Sequence, residues 1–182
     1  MLAHRGQAVN AASLVSAVLP RAREVADPQT VLPLLVTAAL AGYAHDDLET
    51  AEELLGEHEV RTGETRAAVD TDAPVWLVMV ALRVGGVARA EAQLSRNEPR
   101  TACGRHARTH ARALVAEAAG RPADAAQLFA DAARGWKEWG SVPLRAYALV
   151  GLGTCSGDPT ALDEGLEIFA ALGAMPLAAL AA

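Results

Sequence analysis

The sequence predicts an all-α chain in which helix pairs stack into a solenoid, and three observations carry that prediction. The first is a passage that occurs twice. Trp136-Lys-Glu-Trp-Gly-Ser-Val-Pro-Leu144 returns 33 positions later as Phe169-Ala-Ala-Leu-Gly-Ala-Met-Pro-Leu177. Trp136 answers to Phe169, Trp139 to Leu172, Gly140 to Gly173 and Pro143 to Pro176. A period in the low thirties on Ala-rich sequence marks helix pairs that bury their apolar faces on one another. The second is punctuation. Pro28, Pro74, Pro122, Pro143 and Pro159 stand where helices should open, because a first-turn N–H would be unpaired anyway. Gly42, Gly63, Gly85-Gly86, Gly120, Gly140, Gly157 and Gly173 stand where helices should stop. The third is period. Ala125, Leu128, Phe129, Ala132, Trp136 and Trp139 form one helical stripe, and no stretch shows sustained strand alternation.

Taken in order, the elements begin with a leading helix over 6–26, with Pro20 as a point of breakage. Four hairpins follow: 30–43 with 46–61, 74–85 with 88–97, 101–119 with 122–139, and 143–155 with 159–172. Pro33 lies within the first four residues of its helix and breaks no hydrogen bond there. The polar stretch 62–73 reads as a long loop between hairpins. The second hairpin, with Gly85-Gly86 and Asn97-Glu98-Pro99, is the least regular. Helix 159–172 repeats the stripe of 122–139 with Leu162, Gly165, Leu166, Phe169 and Leu172. A last helix from Pro176 makes 175–182 a C-terminal cap. The whole of 1–182 reads as a single domain of about four hairpins plus terminal helices.

Composition narrows the function classes. The 182 residues are 52% hydrophobic but only 4% aromatic, because Ala supplies much of the apolar count. Net charge is −6, which argues against general affinity for nucleic acid. Cys103 and Cys155 are too few for a disulfide framework and read as reduced thiols of a cytoplasmic protein. No apolar run approaches the roughly 20 residues of a membrane span. Asn10, Ser13 and Ser16 interrupt the apolar segment behind His4 and Arg5, so a helix is preferred there to a signal peptide.

The stretch Ala119-Gly-Arg-Pro-Ala-Asp-Ala-Ala-Gln-Leu-Phe-Ala-Asp-Ala-Ala133 resembles a tetratricopeptide repeat. Gly120 falls at the inter-helix turn, Ala125 and Ala132 at small positions and Phe129 at the aromatic one. The preceding helix lacks the Trp and Tyr of that family's signature. A wider string, from Phe129 through WKEWGSVPLRAYALVGLG to LGAMPL, is similar to the C-terminal helical-repeat region of large bacterial signalling ATPases. These include LuxR-type regulators and cyclase-linked ATPases. The resemblance covers 105–180, and its matching residues are packing positions. It implies a TPR-like architecture and a signalling or transcription-regulatory setting. It implies no ATPase activity, since the chain has no GxxxxGK[ST]. The turn at Cys155–Asp158 is shorter than that family's.

Four constellations could carry chemistry. Cys103, His106 and His110, at i, i+3 and i+7, project within about a 60° arc and make a partial zinc set that lacks a fourth ligand. The same arc holds Ala107 and Leu114, so a packed face is the preferred reading. Arg105, Arg108 and Arg112 line another face of that helix, flanked by Arg100 and Arg121. With five Arg and one Glu, residues 96–112 are locally +4. Such a stripe can grip carboxylate or phosphate, or simply be solvated. Seven acidic residues between Asp46 and Glu59 scatter around a helix whose start, Asp46-Asp47-Leu48-Glu49, reads as a cap. Trp136 and Trp139 read as core anchors rather than a ligand platform. Gly151-Leu152-Gly153 reads as a packing gap, and no nucleophile–base set is present.

The expectation is therefore a non-enzymatic module without cofactor that binds a protein or peptide, with Arg105, Arg108 and Arg112 as contact residues. No membrane role is implied, and self-association stays open. Binding of nucleic acid or an anionic ligand through the Arg face over 100–121 is the alternative. A metal-dependent centre at Cys103, His106 and His110 ranks third.

Overall fold

The computed structural model describes residues 8–64, 71–96 and 98–175. Among them are eight helices and no strand: α1 (Ala8–Val25), α2 (Pro28–Ala44), α3 (Leu48–Glu64), α4 (Ala73–Ser95), α5 (Ala102–Ala118), α6 (Pro122–Trp139), α7 (Val142–Ser156) and α8 (Pro159–Ala171). The chain divides into two compact units, one holding α1–α3 and the other α4–α8.

In the first unit α2 packs against both α1 and α3. Its sequence, PQTVLPLLVTAALAGYA, is apolar nearly all round, as a helix covered on two sides should be. Val31, Leu35, Ala51 and Leu55 are fully buried. Asp47 accepts the Thr50 N–H at 3.1 Å and caps α3 as expected, and hydrogen bonds from the Thr50 hydroxyl and N–H hold its carboxyl below the usual range. Arg23 of α1 reaches Glu57 of α3 with both Nε and Nη2, and Arg61 donates to Glu57 at 2.8 Å. The Arg23 bond is the main reason the Glu57 carboxyl is pushed down. Two expectations change here. The leading helix runs through Pro20 without breaking, and α3 continues across Thr62–Glu64, where a loop was expected. Residues 65–70 of that expected loop lie outside the described residues.

In the second unit each helix packs against the next, and α5 also touches α7. Pro122 and Pro159 open α6 and α8, and Pro74 and Pro143 take the second positions of α4 and α7. The expected hairpin of 74–85 with 88–97 is a kinked helical run: two segments meet at Gly86, whose φ of 70° and ψ of −167° leave the helix without an intervening loop. Ala107, Ala113, Ala125, Ala132 and Ala148 are fully buried among Phe129 and Trp136. These small side chains let the helices approach closely. Gly151 and Gly153 mark close approaches, for a Cβ would lie 2.5 Å from the Phe129 ring at the first and 2.6 Å from Leu162 at the second, which makes the Gly151-Leu152-Gly153 segment a packing gap.

The repeated passage is, physically, a repeated helix stop. Gly140 and Gly173 both adopt positive φ, 83° and 58°. Behind them Ser141 N–H donates to the Trp136 carbonyl and Ala174 N–H to that of Phe169, each at 2.9 Å. Gly140 and Gly173 N–H donate to Lys137 and Ala170. Both are Schellman closures, in which glycine takes the left-handed position at least cost. Trp136 and Phe169 are buried, at 0% and 2% exposure. Trp139 is not the core anchor expected: it is 53% exposed. It lies three residues, about 300° of rotation, beyond Trp136 at the end of α6. Its counterpart Leu172 is half-buried, and Leu166 of the α8 stripe is exposed. The expected helix from Pro176 lies outside the described residues.

Candidate functional site

α5 carries both constellations that the sequence singled out on one helix. Thr101 starts it by accepting the Gly104 N–H at 3.0 Å on its hydroxyl. The inward face is Gly104, Ala107, His110 and Ala111, all buried. This face decides the fate of Cys103, His106 and His110. His110 is 1% exposed, and its Nδ1 accepts the Trp136 Nε1–H at 3.1 Å. An indole can only donate, so His110 must be the neutral tautomer with its proton on Nε2. Its ring meets Phe129 edge-on, centroids 5.7 Å apart. Burial pushes its pKa down to about 3, so it stays uncharged at neutral pH.

His106 packs elsewhere. Its ring stands edge-on to Trp136 at 5.8 Å, over the backbone of Gly135, where a Cβ would fall 2.2 Å from Nδ1. Cys103 is half-buried against the core. Among the described residues no three His, Cys, Asp or Glu side chains gather as a metal-holding group. The three side chains share an arc, but two of them are spent on packing against Trp136. The other thiol, Cys155 of α7, lies beside Glu117 of α5. Burial and that carboxyl push the Cys155 pKa up to about 11, and burial pushes Glu117 up as well. A thiol so protonated is a poor nucleophile.

The arginines face outward. Arg105 and Arg112 are exposed. Arg105 donates through Nη1 to the Arg100 carbonyl at 3.2 Å. Arg108 is half-buried and pairs with Glu98 at 3.1 Å, so the middle of the stripe is partly neutralised from within. A stripe with two outward guanidiniums and one engaged one can meet an acidic surface bidentately at its ends. It contains no proton donor poised for catalysis, since guanidinium stays protonated. The signal that sequence reading missed was the indole N–H of Trp136: a buried donor needs an acceptor, and a histidine on the neighbouring helix could supply one.

One described helix, α4, is long and apolar enough to cross a membrane by length and composition alone, and its Val75, Leu77, Val78, Val80 and Ala81 are buried within the fold. No protein-family model matches the chain, and no curated protein or solved structure matches it either.

Proposed function

We propose that the chain is a non-enzymatic, TPR-like helical-repeat module that binds an acidic protein or peptide within a bacterial signalling or transcription-regulatory system. The observation that carries this reading is the doubled helix stop, with Trp136 and Phe169 buried one period apart ahead of identical closures. A repeat of that kind stacks its units and offers a curved surface lined by the first helix of each pair. The resemblance of 105–180 to the repeat regions of signalling ATPases supplies the setting. Two cysteines outside any disulfide accord with a reducing, cytoplasmic location.

The contact residues in this reading are Arg105, Arg108 and Arg112, with the exposed Arg105 and Arg112 accessible to a partner. Charges of this kind mostly set on-rate and salt dependence. The test is fluorescence anisotropy of a labelled Asp/Glu-rich peptide against the native chain and the Arg105→Glu/Arg112→Glu double variant. Expected are saturable binding, a several-fold loss in the variant and an unchanged melting curve. A variant that unfolds makes the stripe structural and ends the proposal. Binding of labelled duplex DNA with a steep salt slope would replace it with the nucleic-acid reading.

A further inference from the structure

The first unit contains a cleft of about 360 Å³ between α1, the end of α2 and the start of α3. That volume lies at the lower end of the roughly 300–1,000 Å³ of small-molecule sites. Val15 and Leu19 of α1 and Leu54 of α3 give it an apolar floor. Its polar rim is unequal in what is already satisfied. Arg23 is held by Glu57, and Asp47 caps α3 and meets the positive end of that helix. Glu53, in contrast, makes no hydrogen bond or ion pair among the described residues and is exposed at the rim.

A second acceptor comes from the backbone. Pro20 sits inside α1 and has no N–H to give the Ser16 carbonyl four residues earlier. Ser16 and Pro20 both line the cleft, which puts this break in the helical ladder at its wall. The site thus pairs an apolar floor with an uncommitted carboxylate and a carbonyl that Pro20 cannot bond. Although Ser16, Thr50 and His45 also line the cleft, an unpartnered carboxylate beside an unbonded carbonyl suits a ligand that brings donors and positive charge. We infer that this cleft binds a small organic cation, a protonated primary amine on a short aliphatic body. The ammonium sits between Glu53 and the Ser16 carbonyl, and the chain lies on Val15, Leu19 and Leu54. The site is separate from the arginine stripe and does not rest on that reading.

The probe is n-butylammonium, titrated into the full chain and followed by backbone amide NMR shifts, with propionate as the anionic control. Expected are saturable shifts confined to 12–23 and 38–54, and none with propionate. Glu53→Gln, an exposed substitution that leaves the fold intact, should weaken binding at least tenfold. Pro20→Ala gives Ser16 its helical partner back. It should raise the melting temperature while weakening the amine several-fold, a combination that a purely structural Pro20 would not produce. Arg105→Glu/Arg112→Glu should change nothing here. An acetylated, amidated Gly-Lys-Gly peptide that shifts the same amides would identify a lysyl side chain as the source, and butylammonium alone would point to a free amine. Absence of saturable shifts, equal binding by Glu53→Gln, or equal response to propionate overturns the inference.

Discussion

At Trp136 the aromatic anchor of α6 carries an N–H into the buried core, and His110 of α5 accepts it. At Phe169, its counterpart 33 residues on, the ring carries no donor. Its neighbour is the ring of Tyr147 on α7, met edge-on with centroids 4.8 Å apart. Tyr147 in turn meets Trp76 of α4 edge-on at 5.6 Å. The closures behind the two anchors are the same, yet the cores that hold them differ. Helix-stop geometry is fixed by backbone hydrogen bonds and a glycine, so it can repeat without regard to what the helix packs against. The anchor is fixed by what its ring must satisfy. A polar aromatic ties its position to one partner residue, whereas an apolar one asks only for surface.

Trp136→Ala should break the first copy most severely, costing about 3–5 kcal/mol by urea denaturation, with Phe169→Ala in the same class. Trp136→Phe sharpens the contrast, since it keeps an aromatic ring but leaves His110 Nδ1 buried without its donor. A cost of about 1–3 kcal/mol is expected. If Trp136→Phe is neutral, the hydrogen bond does not distinguish the two copies.

The burial of His110 makes the first copy acid-sensitive. The folded pKa of His110 lies near 3, below the roughly 6.5 of an unfolded histidine, so the unfolded state binds the extra proton between those values. Above pH 6.5 the group is neutral in both states and costs nothing. As pH falls from 6.5 towards 3, stability should drop by about 1.4 kcal/mol per unit from this group, or about 2 kcal/mol by pH 5. Denaturation series at stepped pH, repeated on His110→Phe, isolate the slope. An unchanged slope in the variant would remove His110 as its source.

The smallest effect expected is at the α1–α2 turn, where Ala26 takes a φ of 58° that glycine occupies at Gly140 and Gly173. An L-residue in that region is strained, so Ala26→Gly should stabilise by up to about 1 kcal/mol in thermal melts, offset in part by glycine's unfolded entropy. A destabilised variant would mean that the Ala26 methyl packs productively.

Much of the second unit was legible because stop signals and stripe agreed. Pro122, Gly140, Pro159 and Gly173 bound α6 and α8, and the 3.6-residue period placed Ala125, Phe129, Ala132 and Trp136 inward. Legibility failed at Trp139, where the stripe outlasted the surface it packs on. It failed at Thr62–Glu64 too, because polar composition cannot tell an exposed helical turn from a loop. The kink at Gly86 was signalled by Gly85-Gly86, but not that helix resumes at once. On α5, spacing put Cys103, His106 and His110 on one arc without revealing that Trp136 claims two of them. Spacing along one helix shows which residues share a face, whereas the neighbouring helix decides what they touch.

The three tryptophans sit in three surroundings: Trp136 enclosed and bonded to an imidazole, Trp76 half-buried with its Nε1–H on Asp72 at 3.1 Å, and Trp139 largely in water. They are therefore built-in optical reporters of unlike kind. Trp139 should account for the red-shifted, quencher-accessible part of the emission and for its response to anything that settles on the end of α6. Trp136 should hold the blue-shifted part and keep it until α5 and α6 separate. Single replacements of Trp139 and Trp76 would leave a chain whose remaining fluorescence reads the integrity of one helix pair alone.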